Sequence, residues 1–250
     1  MNTIKITLKG ILLASILILT SCLGETNNEY YITSLAFATV TTDGAGNYRL
    51  YLDENRGILI PNDESTTVNW GDTKRALIHY DLPWLDSIRD NHAFRSRLRD
   101  AKRLSIASTV DVTGMSKMPE SLGNKPVYDF ALQAYWGYIT LQAAPGNTNA
   151  FDMTCSYDRN RYYVDSERRI DTLFMQMHYK ESSGSWNLDI PQTVCMEIPQ
   201  FARDTIKSDS LYIAIDGNVW TDNTTKDTKQ VRRGFKISRR RITAPTYTSY

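Results

Sequence analysis

Apolar and polar residues alternate with a period of two along most of this chain, which is the pattern of half-buried β-strands. From Tyr30 to Val40, Leu35 and Phe37 fall on one face and Ala36, Ala38 and Val40 on the other. Asp43-Gly44, within Thr41 to Asn47, supplies turn chemistry, and Tyr48, Leu50 and Leu52 then alternate with Arg49 and Tyr51. Together these predict a hairpin. Gly57 to Pro61 reads as a short apolar strand, Asn62 to Gly71 as a polar loop and Arg75 to Tyr80 as another strand. Pro83 and Trp84 break the pattern. Asp86 to Asp100 lacks clear alternation and reads as a short arginine-rich helix, before Leu104, Ile106, Val110 and Val112 resume the extended pattern. Several strands with one helical insertion suit a small Greek-key barrel.

Gly114, Pro119, Gly123 and Pro126 give a linker-like stretch, which places a domain boundary near residues 125–133, set at 128/129. Beyond it, strand runs occur at Tyr135 to Gln142, Phe151 to Tyr157, Thr172 to Tyr179, Thr193 to Ile198, Leu211 to Asp216 and Arg233 to Ser238. With turns at Ala144-Pro145-Gly146-Asn147 and Ser182-Ser183-Gly184, this is the spacing of an antiparallel β-sandwich. Leu173, Met175, Met177 and Tyr179 share one face of their strand, opposite Thr172, Gln176 and His178, and the methionines read as core filler. Val194, Met196 and Ile198 likewise oppose Thr193, Cys195 and Glu197, so Cys195 points away from the main core. The expected fold is mainly β, with a barrel over residues 30–128, a sandwich over 129–241 and a C-terminal tail over 242–250.

The first 21 residues follow a different rule. Lys5 and Lys9 precede an uncharged apolar run from Ile11 to Leu19, and Thr20-Ser21-Cys22 follows. A positive start, a short apolar core and small residues at a cleavage point make a secretory signal over residues 1–21. The run is shorter than the about 20 residues that a resident transmembrane helix needs. Leu19-Thr20-Ser21-Cys22 has the form of a lipobox, which makes Cys22 the expected lipid-bearing first residue of the mature chain. Acyl chains contribute about 0.8 kcal/mol per buried CH₂, so two or three give a stable anchor. The polar residues 22–29 read as a tether. An ordinary secreted protein with an incidental cysteine is disfavoured by the three signal regions together. The expected location is the cell envelope, at the outer membrane, with the membrane contacted through the lipid on Cys22.

Composition narrows the partners. Removing 21 of 250 residues leaves 229, enough for two modest cores. Without Lys5 and Lys9 the basic count falls from 29 to 27 against 28 acidic residues, and a near-neutral body gives no reason to expect a polyanionic partner. Fifteen tyrosines and five tryptophans suit pleated strands. With Cys22 consumed by lipid, Cys155 and Cys195 remain in an oxidising compartment, as a candidate disulfide or as buried free thiols. Sequence does not show whether their Cα atoms lie within the about 7 Å that bridging needs.

Catalytic signatures are missing. The three histidines, His79, His92 and His178, have no metal-ligand spacing, and His79 and His178 read as hydrogen-bonded structural residues in strands. There is no Gly-x-Ser-x-Gly elbow and no phosphate-cradling glycine loop. Asp158-Arg159-Asn160 and Asp43-Gly44 lack the spacing of a calcium loop and read as turns. No cofactor, metal or catalytic residue is therefore assigned. Arg95, Arg97, Arg99, Lys102 and Arg103, interleaved with Asp90 and Asp100, read as a solvated salt-bridged face. Arg239-Arg240-Arg241 reads as an exposed end or a contact with anionic headgroups. Export from the cytoplasm argues against nucleic acid as a ligand.

The lipobox, the Tyr31-to-Leu52 hairpin, the Arg75-to-Tyr80 strand and the series Thr172 to Tyr179 resemble the NigD-like lipoproteins over nearly all of the mature chain. The resemblance implies an N-terminal OB-type barrel followed by a C-terminal β-sandwich. The family takes its name from a bacteriocin gene cluster in which one member looks like an immunity protein, and it transfers no functional residues. The expectation is a non-enzymatic envelope lipoprotein that binds a bacteriocin or an envelope protein and acts by occupancy. A glycan-binding or polysaccharide-processing lipoprotein is the alternative, motivated by Trp70, Trp84, Trp136, Trp186 and Trp220, whose rings stack on sugars if exposed and build the core if not.

Overall fold

The computed structural model describes residues 31–42, 45–54, 57–83, 93–144, 149–185, 192–221 and 227–246, and the chain is mainly β. Residues 1–30, with Cys22, lie outside the described residues, as do Asp43-Gly44, Trp84, His92, Pro145 to Asn147 and Trp186.

The first sheet is built from β1 (Tyr31–Thr42), β2 (Tyr48–Leu52), β3 (Ile58–Pro61), β4 (Arg75–Pro83), β5 (Ala93–Ser96) and β6 (Leu98–Leu104), in the order β5-β3-β2-β1-β4-β6. Only Arg97 separates β5 from β6. Because β5 runs parallel beside β3 while β6 runs antiparallel beside β4, this bent strand joins the two edges and closes the sheet on itself. Ala38 and Val40 of β1 point inward with Leu50, Leu52, Ile78, Tyr80, Phe94 and Leu98 to form the enclosed core, whereas Leu35 on the opposite face is exposed. The helix expected over Asp86 to Asp100 is thus corrected for its described part, Ala93 onward, which is strand. Phe94, Ser96 and Leu98 point inward, and Arg95, Arg97 and Arg99 point to solvent.

The rest of the chain forms β7 (Ile106–Ala107), β8 (Val110–Asp111), β9 (Asp129–Tyr135), β10 (Tyr138–Ala144), β11 (Asn149–Tyr157), β12 (Tyr163–Asp165), β13 (Ile170–Ser185), β14 (Gln192–Glu197), α1 (Gln200–Thr205), β15 (Ser210–Trp220) and β16 (Thr228–Ser238). The second sheet has the order β7-β14-β10-β9, and the third β16-β15-β13-β11-β8 with β12 added to β13. Their facing sides share one core, in which Phe130, Ile139, Leu141 and Met196 meet Met153, Cys155, Leu173, Met175, Met177 and Ile213. Strand pairing passes from the first sheet to the other two at Ser105, and Ile242, just past the expected sandwich, is buried in the shared core.

Three further details differ from the sequence reading. The sheets are mixed, because β7 with β14, β8 with β11 and β13 with β15 run parallel. The chain between β13 and β15 passes through β14 of the second sheet, the kind of crossover that parallel neighbours require. Ser182-Ser183-Gly184 is a continuation of β13 and not a turn. The run Tyr135 to Gln142 is a tight hairpin, turning at Trp136 (φ 51°) and Gly137 (φ 85°), both in the left-handed region that a two-residue turn uses.

The barrel's outer face meets the second sheet through buried polar groups. Arg75, fully buried, donates to Asp53 at 2.9 and 2.6 Å, to Thr39 Oγ1 at 2.9 Å and, across the junction, to Thr140 Oγ1 at 3.0 Å. Trp136 Nε1 donates to the Leu52 carbonyl at 3.0 Å, its ring meets Tyr51 edge-on, and the Arg241 guanidinium lies 5.0 Å from the ring centroid. Gly137 also lets the C-terminal segment approach, since a Cβ there would sit 2.5 Å from Ala244 N. Trp136 is a bulky residue at positive φ, and these contacts hold it there.

Candidate ligand-binding face

Because side chains alternate along a strand, burying Leu173, Met175 and Met177 turns Thr172, Phe174, Gln176 and His178 to the other side of the third sheet. Register sets their neighbours. Tyr163, Thr172, Tyr212 and Lys236 form one cross-strand row, and Ser156, Gln176, Asp216 and Arg232 form another. Asn218 pairs with Gln230 at the far end.

Asp216, nearly buried, accepts two hydrogen bonds from Arg232, at 2.7 and 2.8 Å, and lies 4.0 Å from Arg161. Both guanidinium groups lie over the ring of Phe174, at 5.1 and 5.5 Å from its centroid. Two half-exposed cations thus share one carboxylate and one aromatic ring. Tyr163 and Tyr212 expose their side chains in the adjoining row. Tyr212 lies down over Gly234, where an added Cβ would sit 1.8 Å from its hydroxyl oxygen.

At the other end is a pocket of about 480 Å³, lined by His178, Gln176, Asn218, Gln230, Asn124 and Met118 among others. Asn218 donates to Asn124 at 2.8 Å and Gln230 to Gln176 at 3.2 Å. His178 Nδ1 is 3.2 Å from the Gly123 carbonyl, so this nitrogen carries the proton, and Ser156 Oγ, 2.7 Å from Nε2, donates to the other. Burial pushes the imidazole below its ordinary value near 6.5, with the Gly123 carbonyl pulling the other way, so it is neutral around pH 7. A serine beside a histidine has the outline of a nucleophile and its base, but Ser156 is only 1% exposed and the orienting group is a carbonyl, not a carboxylate. The trio braces the floor of the pocket.

The sequence candidates distribute as follows. Cys155 and Cys195 are both buried and free, which corrects the candidate disulfide. Cys155 points into the core between the second and third sheets, whereas Cys195 sits on the opposite face of β14, with its sulfur 3.5 Å from Thr140 Oγ1. Burial raises both thiol pKa values. Trp70 is buried in the barrel and Trp136 is packed at the junction, so neither is a sugar platform. Arg239 and Arg240 are exposed, as expected of this end, whereas Arg241 is buried against Trp136. Asp158 closes a turn by accepting from Asn160 N–H, as expected. Among the described residues no cluster of three or more His, Cys, Asp or Glu is placed to hold a metal. The features that sequence reasoning missed are Tyr163, Tyr212, Phe174 and Arg232. Their signal lay in the strand face opposite Leu173 and Met175, read only as far as Thr172, Gln176 and His178.

No family model matches the sequence, and neither does any curated protein. Solved structures do. A protein of unknown function from Bacteroides vulgatus ATCC 8482 is similar at a TM-score of 0.55 and 13% identity, over 86% of this chain and 96% of its own. A candidate lipoprotein from Bacteroides fragilis NCTC 9343 gives a TM-score of 0.54 at 14% identity, over 82% and 97%. At such identities these likenesses establish a shared fold. The neighbours also include a NigD-like immunity protein from Bacteroides caccae ATCC 43185, at a TM-score of 0.48 and 13% identity over 84% and 99%, an overlap too loose to bear an argument.

Proposed function

We propose that this protein is a lipid-anchored binding protein of the cell envelope, which presents the outer face of its third sheet to a ligand and acts by occupancy, not turnover. One observation carries the reading. Exposed tyrosines, two cations sharing Asp216 and an amide-lined pocket lie on one continuous strand surface. The anchor rests on the lipobox at Leu19 to Cys22, and the candidate lipoprotein with the same fold is in keeping with it. Occupancy serves toxin immunity, which the NigD-like resemblance implies, as well as glycan capture.

The anchor and the face are tested separately. In cells fed labelled palmitate, the wild-type protein takes up label and sediments with membranes, while Cys22→Ala does neither. Label on Cys22→Ala contradicts the anchor. Folded Tyr212→Ala and Arg232→Gln variants lose the ligand that the wild type retains, and undiminished retention by both contradicts the face.

A further inference from the structure

We infer that the outer face of the third sheet is a groove for a short acidic oligosaccharide, an inference that rests on this face being the binding surface. The aromatic end supplies the first argument. Tyr163 and Tyr212 flank Thr172 in one row, and Tyr212 is laid along the sheet because Gly234 has no side chain to lift it. A ring lying along the sheet presents its electron-rich side to solvent, where the C–H face of a pyranose packs without losing any of its hydroxyl hydrogen bonds.

The pocket end supplies the second. Asn124, Asn218, Gln176 and Gln230 are uncharged and carry donors and acceptors on the same planar group, and the acidic residue of the lining, Glu120, is paired with Lys117 at 3.0 Å. The two bonds between them use one donor and one acceptor per pair, and Gln176 Nε2 donates a further bond to the Met177 carbonyl at 3.3 Å, which leaves other amide hydrogens and lone pairs, chiefly on Asn124, Asn218 and Gln230, for vicinal hydroxyls.

Charge supplies the third. Arg161 and Arg232 share Asp216, which leaves one guanidinium charge uncompensated midway between the tyrosines and the amides, and exposed Lys236 adds a second cation beside Tyr212. A carboxylate on the sugar chain answers that excess, with the planar fork of a guanidinium suited to receive it. From Thr172 to His178 the face extends about 20 Å, the reach of an oligosaccharide and not of a single sugar. A peptide is disfavoured, because the middle strands of this face are already hydrogen-bonded on both sides and the exposed apolar surface amounts to little beyond the two tyrosine rings and Met118.

The test is calorimetric titration of the lipidated protein in detergent micelles with oligogalacturonate, alginate oligosaccharides and a malto-oligosaccharide of matching length. The inference predicts that an acidic chain binds at least about tenfold more tightly than the neutral one, a difference of about 1.4 kcal/mol. Its affinity falls with added salt and drops about tenfold in Arg232→Gln and in Tyr212→Ala, with partial recovery in Arg232→Lys. Thermal melts confirm that each variant folds. Equal affinity for acidic and neutral chains, no binding of any acidic chain, or wild-type affinity in both variants overturns the inference. If acidic chains fail while a photocrosslinker at position 212 still captures a ligand, the oligosaccharide is wrong and the binding face stands. If position 212 captures nothing either, both fall.

Discussion

Arg75 of β4 and Thr140 of β10 are joined by a 3.0 Å hydrogen bond that ties the closed first sheet to the second. The guanidinium is fully buried and its charge is met by Asp53, so the junction depends on an ion pair that water cannot replace. Asp53→Ala strands that charge and is expected to cost about 3–5 kcal/mol in denaturant unfolding. The double variant Asp53→Leu/Arg75→Met, which removes both charges, costs less than Asp53→Ala alone. A double variant at least as unstable as the single one contradicts this account.

His178 gives stability a pH dependence of known sign. Its pKa in the folded state lies below the ordinary 6.5, so the unfolded chain takes up the proton first as pH falls. The contribution is complete above about pH 6.5 and is lost as pH drops through the lower folded value. Unfolding midpoints measured from neutral to mildly acid pH decline for the wild type. In His178→Gln that decline is shallower, and identical slopes rule the group out as its source.

Free, buried thiols predict a simple count. Cys155 and Cys195 are enclosed and burial raises both pKa values, so neither reacts with a thiol reagent in the native protein and both react in denaturant without reductant. A disulfide would give no reactive thiol in either state.

Two glycines on neighbouring strands separate packing from binding. A Cβ at Gly217 would sit 2.7 Å from the Phe130 ring and 2.8 Å from the Met177 methyl, so Gly217→Ala overpacks the core and costs about 1–3 kcal/mol. The three atoms nearest a Cβ at Gly234 all belong to Tyr212, whose exposed ring is free to swing away, so Gly234→Ala leaves the melting temperature nearly unchanged while weakening ligand binding. Circular dichroism melts and titrations on both variants check the contrast.

The strand faces were legible where apolar residues fill every second position, as at Leu173, Met175 and Met177 or at Ala36, Ala38 and Val40. The pattern failed at Phe94-Arg-Ser-Arg-Leu98, because the inward position between Phe94 and Leu98 is Ser96, whose buried hydroxyl is satisfied by the Asp81 carbonyl. Polarity at a core position hid the period. The Trp136-Gly137 turn was missed for the opposite reason. Tryptophan favours strands, and only contacts with Leu52, Tyr51 and Arg241, remote in sequence, make its left-handed backbone tolerable. The binding face was half legible. Gln176 and His178 follow from alternation, but the meeting of Arg161, Arg232 and Phe174 depends on the parallel pairing of β13 with β15, a long-range crossover that no local pattern encodes.

The central claim is that the third sheet's outer face is where this protein meets its ligand. A benzophenone amino acid placed at Tyr212, and separately at Leu35, exposed on the first sheet, tests it directly in intact cells. The account predicts a light-dependent adduct from position 212 and none from position 35. Adducts from position 35 alone, or equal yields from both, would contradict it.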